Sequence, residues 1–264
     1  MQIGQLLDKI PLWATFIITV FIIILSLKIG ILLGDRKRKK SEGEKEGPVG
    51  SVVGAMLGLL AFIMAFTFGM TAERFQARRA LLLDEVNAIS TAYLRTDMLP
   101  ELQRNEVKKL FREYVDIRAN IAAKPDQLAQ AIERSEKIQD IIWSHAMSFA
   151  RERMDSDMPP LLLQSLNEVF DLHTSRVTVG LQYRTPWVIW LVLYFLSIFT
   201  MIAVGYQFGI AGGSISMQVN VLLALCFSLV ILLIADLDRA SQGLLRVSQQ
   251  PMVELQQKIN KTSP

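Results

Sequence analysis

Apolar positions along this chain follow two different patterns. Four stretches are apolar on every side: Pro11 to Leu33, Val49 to Ala72, Pro186 to Gln207 and Met217 to Ala235. Residues 47–72 carry no formal charge, and neither do residues 185–235. A hydrocarbon core about 30 Å thick is crossed by roughly 20 mostly apolar helical residues, so each stretch is long enough to span. In lipid the backbone must satisfy its own polar groups, which makes these spans helices. Between the second and third spans the pattern becomes periodic. Phe75, Leu82, Val86, Ile89 and Tyr93 mark one helix face. With no proline in residues 51–98, the second span is expected to run on into this polar region as a rod approaching roughly 70 Å.

Three further amphipathic helices are expected before the third span. Pro100 opens one with Leu102, Leu110, Tyr114, Ile117 and Ile121 inward, ended by Lys124-Pro125. Asp126 caps the next, which runs to about Asp155 with Leu128, Ile132, Ile138, Ile142 and Phe149 buried. Met158-Pro159-Pro160 then separates a helix carrying Leu163, Leu166, Phe170, Val177 and Leu181. The 35–48 stretch is a polar, mobile linker, and the 236–264 tail has a weak helical pattern from Pro251 with Val253, Leu255 and Ile259. No alternating strand pattern occurs. The expected fold is all-α: residues 1–34 hold the first span, 49–72 the second, 73–185 an extramembrane helical region, and 186–235 the last two spans. Trp13, Trp187, Trp190, Tyr194 and Tyr206 are placed near span ends, as interfacial aromatics.

Composition narrows the function classes. The 264 residues are 51% hydrophobic and 20% charged, with mean hydropathy +0.32, which excludes a wholly soluble protein. Net charge is +3, but residues 72–186 hold 16 basic and 17 acidic side chains and no basic face interleaved with aromatics, so nucleic acid is not an expected partner. The lone Cys226 excludes an intrachain disulfide and suits a small buried hydrophobe. His145 and His173 stand apart from other ligand types, so no metal site is expected, and no cofactor or enzyme motif is present. Asp155-Ser156-Asp157 suits a solvated turn. Lys9 alone precedes the first apolar stretch and the basic cluster follows it, so an uncleaved span is expected rather than a signal peptide.

The second span carries the most specific pattern. Gly50, Gly54, Gly58, Ala61, Ala65, Gly69 and Ala72 recur every three or four residues and leave one face almost bare. Such a face is either a tight packing seam or the lining of a path copied around a symmetry axis. Phe62 and Phe66 are either plain lipid or core filling, or apolar rings that gate by dewetting. At the boundary Glu73, Arg74, Arg78 and Arg79 form either a snorkelling collar or a cationic mouth that attracts anions. Asp236 and Arg239, three apart, are expected to pair, with Arg74 as another partner for the acid, and an acid on an ion pathway is the alternative. Lys28 lies near the end of the first span, where its ammonium reaches the headgroups. Six Lys/Arg in the 35–48 linker oppose seven near span ends on the other side, which leaves orientation open.

Several strings taken together resemble a bacterial bestrophin-like membrane family over nearly the whole chain. They are Leu57-Gly58-Leu59-Leu60-Ala61-Phe62, Ala65-Phe66-Thr67-Phe68-Gly69-Met70, Arg74-Phe75, Ala77-Arg78-Arg79, Asp84-Glu85, Asn87-Ala88-Ile89, Thr91-Ala92-Tyr93-Leu94-Arg95, Ala235-Asp236-Leu237-Asp238-Arg239 and Leu245-Arg246-Val247-Ser248. Bestrophins are pentameric ion channels with four spans and a large cytoplasmic helical region after the second. The resemblance implies a homo-oligomer in the bacterial inner membrane, with that region cytoplasmic and a neck at Gly58, Phe62 and Phe66. Gly58 departs from the apolar neck pattern, and Thr67-Phe68-Gly69 stands where bestrophins carry a polar Arg-Asn-Asn stretch. The Asp-rich calcium clasp of the eukaryotic members has no counterpart. The expected function is passive ion conduction, with anions weakly favoured. The alternative is a non-conducting scaffold or sensor whose helical region binds a partner or ligand.

Overall fold

The computed structural model describes residues 10–40, 49–121, 127–153, 155–181, 183–212, 217–239 and 243–261. Eight α-helices run through them: α1 Leu12–Lys40, α2 Val49–Arg95, α3 Glu101–Asn120, α4 Leu128–Glu152, α5 Met158–Leu181, α6 Trp187–Ala211, α7 Met217–Asp238 and α8 Gln250–Lys261. A single 3-10 turn, Thr96–Met98, separates α2 from α3, and no strand occurs among the described residues. The fold is all-α, and α1, the apolar part of α2, α6 and α7 are long and apolar enough to cross a membrane. The chain divides into two compact units. One comprises residues 1–75 and 184–245, the other residues 76–183 and 246–264.

In the first unit α1 packs closely on α6 and then on α7. Glycine makes the α1–α6 approach possible. A methyl group added at Gly30 would fall on the carbonyl oxygen of Ile202, and one at Gly34 on that of Tyr206. From the other side, Gly205 abuts the Leu27 carbonyl and Gly209 that of Ile31. Two small-xxx-small pairs thus face each other with the backbones touching, as lipid-embedded helices do when dispersion drives their packing. Ile23, Leu27, Leu60, Met64, Leu193, Met201, Ile231 and Ile234 fill the rest of this core. Thr19 and Tyr194 meet inside it, hydroxyl to hydroxyl at 2.9 Å. Tyr194 therefore serves α1–α6 packing, and Trp190 is buried in the same core.

In the second unit α3 packs on α4 and α8, and α4 on α5. Leu82, Ile89, Tyr93, Phe111, Tyr114, Ile138, Ile142, Phe149, Leu166, Met252 and Ile259 share one core with the α2 residues beyond position 75.

Several expectations need correction. Residues 35–40 continue α1 as helix rather than beginning a linker, since Lys and Arg are good helix formers; residues 41–48 lie outside the described residues. Met158-Pro159-Pro160 does not precede α5 but opens it. Proline fits a first turn, where the N–H has no intrahelical partner, and Ser156 Oγ accepts the Met158 N–H at 3.2 Å. Leu102, expected inward, is 79% exposed, and the buried side of α3 is Val107, Phe111, Tyr114, Val115 and Arg118. The Lys124-Pro125 stop and the Asp126 cap lie outside the described residues. Cys226 is exposed on α7 instead of buried. The 236–264 segment is not one tail: α7 takes it to Asp238, and α8 buries Met252, Leu255 and Ile259 in the second unit's core.

Candidate functional site

The membrane part of α2 has two unlike faces. Val53, Leu60, Met64, Thr67 and Thr71 are buried, a stripe set by steps of seven, four, three and four residues. The two hydroxyls turn back to their own helix, Thr67 onto the Ile63 carbonyl at 2.7 Å and Thr71 onto the Thr67 carbonyl at 3.1 Å. On the other side Gly54, Gly58, Ala61, Phe62, Ala65, Phe66 and Gly69 are all exposed. A methyl group added at Gly54, Gly58 or Gly69 meets nothing within 4 Å. Phe62 is 65% and Phe66 62% exposed, standing one turn apart in line with Gly58. Among the described residues, then, nothing packs on the glycines of this face; the close glycine contacts are those of Gly30, Gly34, Gly205 and Gly209. Beside the exposed face, Ala61, Met64, Ala65 and Phe68 join Cys226, Phe227, Val230 and Leu233 in an open apolar groove of about 470 Å³ between α2 and α7.

Charge begins along α2 at Glu73, and its four boundary side chains are not equivalent. Glu73 and Arg79 are exposed, whereas Arg78 is buried. Arg74 is held in a polar knot. Its Nη1 donates to Thr185 Oγ1 at 2.9 Å and lies 3.6 Å from Asp238 Oδ1. The same carboxylate oxygen accepts the Thr185 backbone N–H at 3.0 Å and its hydroxyl at 2.6 Å, and Arg184 donates to the Asp238 carbonyl at 2.5 Å. Arg74 is thus neutralised where it stands, by Asp238 rather than by Asp236.

The expected Asp236–Arg239 side-chain pair is replaced by separate partners. Asp236 Oδ1 accepts the Leu244 N–H at 2.8 Å and Oδ2 the Leu245 N–H at 2.9 Å. Gly243, at φ +135°, lets the backbone approach: a methyl group there would fall on Asp236 Oδ1. Arg239 Nη2 reaches the Ile10 carbonyl at 2.6 Å, and its own N–H bonds the Asp236 carbonyl at 3.2 Å. A buried carboxylate that accepts backbone N–H groups is satisfied without a cation.

A further polar cluster lies inside the second unit. Glu85 on α2 is fully buried; Arg118 Nε on α3 lies 3.0 Å from its Oε1, and Arg176 on α5 bonds its Oε2. Tyr114 donates to Glu85 Oε1 at 3.2 Å and meets His173 Nδ1 at 3.2 Å, while Gln139 donates to the Tyr114 hydroxyl at 3.3 Å. Burial alone would push the Glu85 carboxyl up, but the two guanidiniums outweigh it and hold it below the ordinary carboxylate value. Burial, with Arg118 next, pushes His173 down to about 4. Burial and the Glu85 charge push the Tyr114 hydroxyl up. His173, alone in sequence, is thus held by an aromatic hydroxyl. His145 is half-buried on α4, and no group of three or more His, Cys, Asp or Glu poised for a metal occurs among the described residues.

Sequence periodicity missed this cluster because it follows apolar residues. Glu85 sits beside the Leu82–Val86–Ile89 stripe and Arg118 beside Tyr114 and Ile117. An acid and a base each flanking an apolar stripe was the available signal.

A family model for the bestrophin-like domain matches residues 20–252. The chain belongs to the bestrophin-like family. Among solved structures, it is similar to variants of a bacterial bestrophin homolog from Klebsiella pneumoniae. One is 14% identical, covering 92% of this chain and 97% of that one, with TM-score 0.67. Another is 13% identical over 95% and 96%, with TM-score 0.68. A crystal structure described only as a membrane protein is 13% identical over 94% and 98%, with TM-score 0.67. At these identities the likeness is one of fold. No curated protein matches the sequence.

Proposed function

We propose that this bestrophin-like chain is one subunit of a homo-oligomeric ion channel, with the bare face of α2 lining a passive path and Phe62 and Phe66 narrowing it. The observation that carries this reading is that face itself. Phe62 and Phe66 project beside Gly54, Gly58 and Gly69, on a side of α2 that no other segment fills among the described residues. Rings of such side chains around an axis would form a hydrophobic constriction of the kind that gates by dewetting. Gly58 would be the wide level of the neck, and Ala61 and Ala65 would let neighbouring copies approach. Glu73, Arg74, Arg78 and Arg79 would form the mouth. With Arg74 held by Asp238 and Arg78 buried, a weak anion preference would rest chiefly on Arg79. Bestrophins being ion channels, membership supports the same class, a bacterial inner-membrane location and a cytoplasmic helical unit. A reporter fused after Pro264 tests the orientation.

Purified protein in planar bilayers should carry current, and Phe62→Ala or Phe66→Ala should raise unitary conductance. Current indistinguishable from protein-free membranes would sink the channel. In a Cys226→Ser background, Phe66→Cys should give oxidative cross-links between copies. A monomer that resists cross-linking would instead place this face in acyl chains and favour a non-conducting scaffold or sensor.

A further inference from the structure

The last turns of α1 carry Arg36, Lys37, Arg38, Lys39 and Lys40, all exposed and all helical. They are not alike. Arg38 pairs with Asp35 at 3.3 Å and lies against Gly212, whose φ of +68° ends α6 and whose missing side chain makes room for the guanidinium. Arg36, Lys39 and Lys40, at i, i+3 and i+4, share one side of the helix. None of the three meets an acidic side chain among the described residues.

That side has a distinctive continuation. Leu25, Ile29, Leu32 and Leu33 occupy the same helical azimuth below the three cations, and all four are exposed. One face of α1 is therefore an uncovered, mainly apolar track about two turns long, with the exposed Lys28 at its edge, that runs directly into three cations at the end of the helix. Among the described residues, the neighbouring helix ends offer no competing charge. Gly34 abuts Gly209 and Gly50 faces Gln207, so α2 and α6 reach this same border, yet both ends lie in stretches without a formal charge.

We propose that Arg36, Lys39 and Lys40 hold the phosphate of an anionic phospholipid whose acyl chain lies along Leu25, Ile29, Leu32 and Leu33. A guanidinium offers a planar pair of donors to two phosphate oxygens, and two ammoniums supply point charges for the rest of the headgroup. The apolar track selects a lipid over free phosphate, because only a lipid joins an anion to a hydrocarbon chain in that geometry. Cations beside a span attract acidic headgroups by about fivefold each. The site does not depend on whether the protein conducts.

The full chain in neutral detergent, given equal amounts of phosphatidylglycerol and phosphatidylcholine of matched acyl chains, tests this by native mass spectrometry. Phosphatidylglycerol should be retained preferentially. The triple variant Arg36→Gln, Lys39→Gln, Lys40→Gln should lose that preference by roughly fivefold per cation. Arg36→Lys with both lysines intact should keep most of it, which separates charge from damage to the fold. Inorganic phosphate should neither displace the lipid nor raise the melting temperature. Equal retention of the two lipids would overturn the proposal, and that is also the outcome if the linker acids Glu42, Glu44 and Glu46 occupy the cations. A preference that survives the triple variant, or protection by phosphate alone, would overturn it as well.

Discussion

Arg118 and Glu85 face each other across the interior of the second unit, Nε to Oε1 at 3.0 Å, with side chains 3% and 0% exposed. Arg176 closes the other side of the same carboxylate. One anion thus balances two cations away from water, which makes Glu85 the member the cluster can least spare. Removing one partner of a buried pair costs about 3–5 kcal/mol, because the charge left behind has no solvent. Glu85→Ala should lose stability of that order, with early loss of helical circular dichroism on heating. Glu85→Gln, which keeps the shape and two acceptor lone pairs, should lose less. A melting temperature unchanged in Glu85→Ala would show that the cluster is solvated.

Acid should loosen the same unit in two stages. His173 is held neutral, at about 4 against an ordinary 6.5, so its unfolded form binds the proton first. Its contribution is complete above pH 6.5 and is lost as pH falls towards 4, about 3 kcal/mol in all. Glu85 lies below its ordinary 4.5, so its contribution is present above that value and is lost as pH falls further. Melting followed at pH 7, 5 and 4 should show the decline, and His173→Gln should flatten the upper stage alone. A wild-type melting temperature constant from pH 7 to 4 would contradict the assignment.

Glycine substitutions should separate the two small-residue faces. At Gly30 or Gly205 alanine drives a methyl group into backbone, and overpacking of this kind costs about 1–3 kcal/mol. At Gly54 or Gly58 there is open space, and alanine should leave the melting temperature of the dispersed subunit unchanged or slightly raised. The comparison is a thermal melt of four single variants in detergent. Equal losses at all four would mean that α2 also packs by its glycines within the chain.

Asp236 ties down the 243–245 turn through two backbone N–H groups. Asp236→Ala leaves both donors without their acceptor, at about 1–3 kcal/mol each if they stay buried. Trypsin should cut after Arg246, already exposed, much faster in this variant than in the parent. Asp236→Asn keeps one acceptor oxygen and should fall between them. An unchanged cutting rate would mean that the turn holds without the carboxylate.

How far the chain could be understood from its letters varied with the physics at each place. The unbroken α2 was legible because nothing between Val49 and Arg95 forces a break, and all four spans followed from length and apolarity. The seam between α1 and α6 was not. Gly30, Gly34, Gly205 and Gly209 show the same four-residue spacing as Gly54 and Gly58, and in lipid a helix-facing glycine has no polarity to distinguish it from a lipid-facing one. On α3 the inward face was placed in part: Tyr114 is buried and Leu110 and Ile117 pack against the core, but Arg118 belongs to that face and Leu102 does not. Periodicity assigns cores to apolar residues, and here part of the core is an ion cluster. Asp236 was recognised as a border acid, but its partners are amides eight and nine residues ahead, which i,i+3 reasoning does not reach.

Direct backbone contact between α1 and α6 also restricts how this molecule can move. Where side chains separate two helices, rotamer changes let one slide past the other by small increments. Here carbonyls rest against glycine Cα atoms, so any partial shift drives oxygen into carbon. The two helices form a single beam, and a rearrangement of the membrane unit must carry them together.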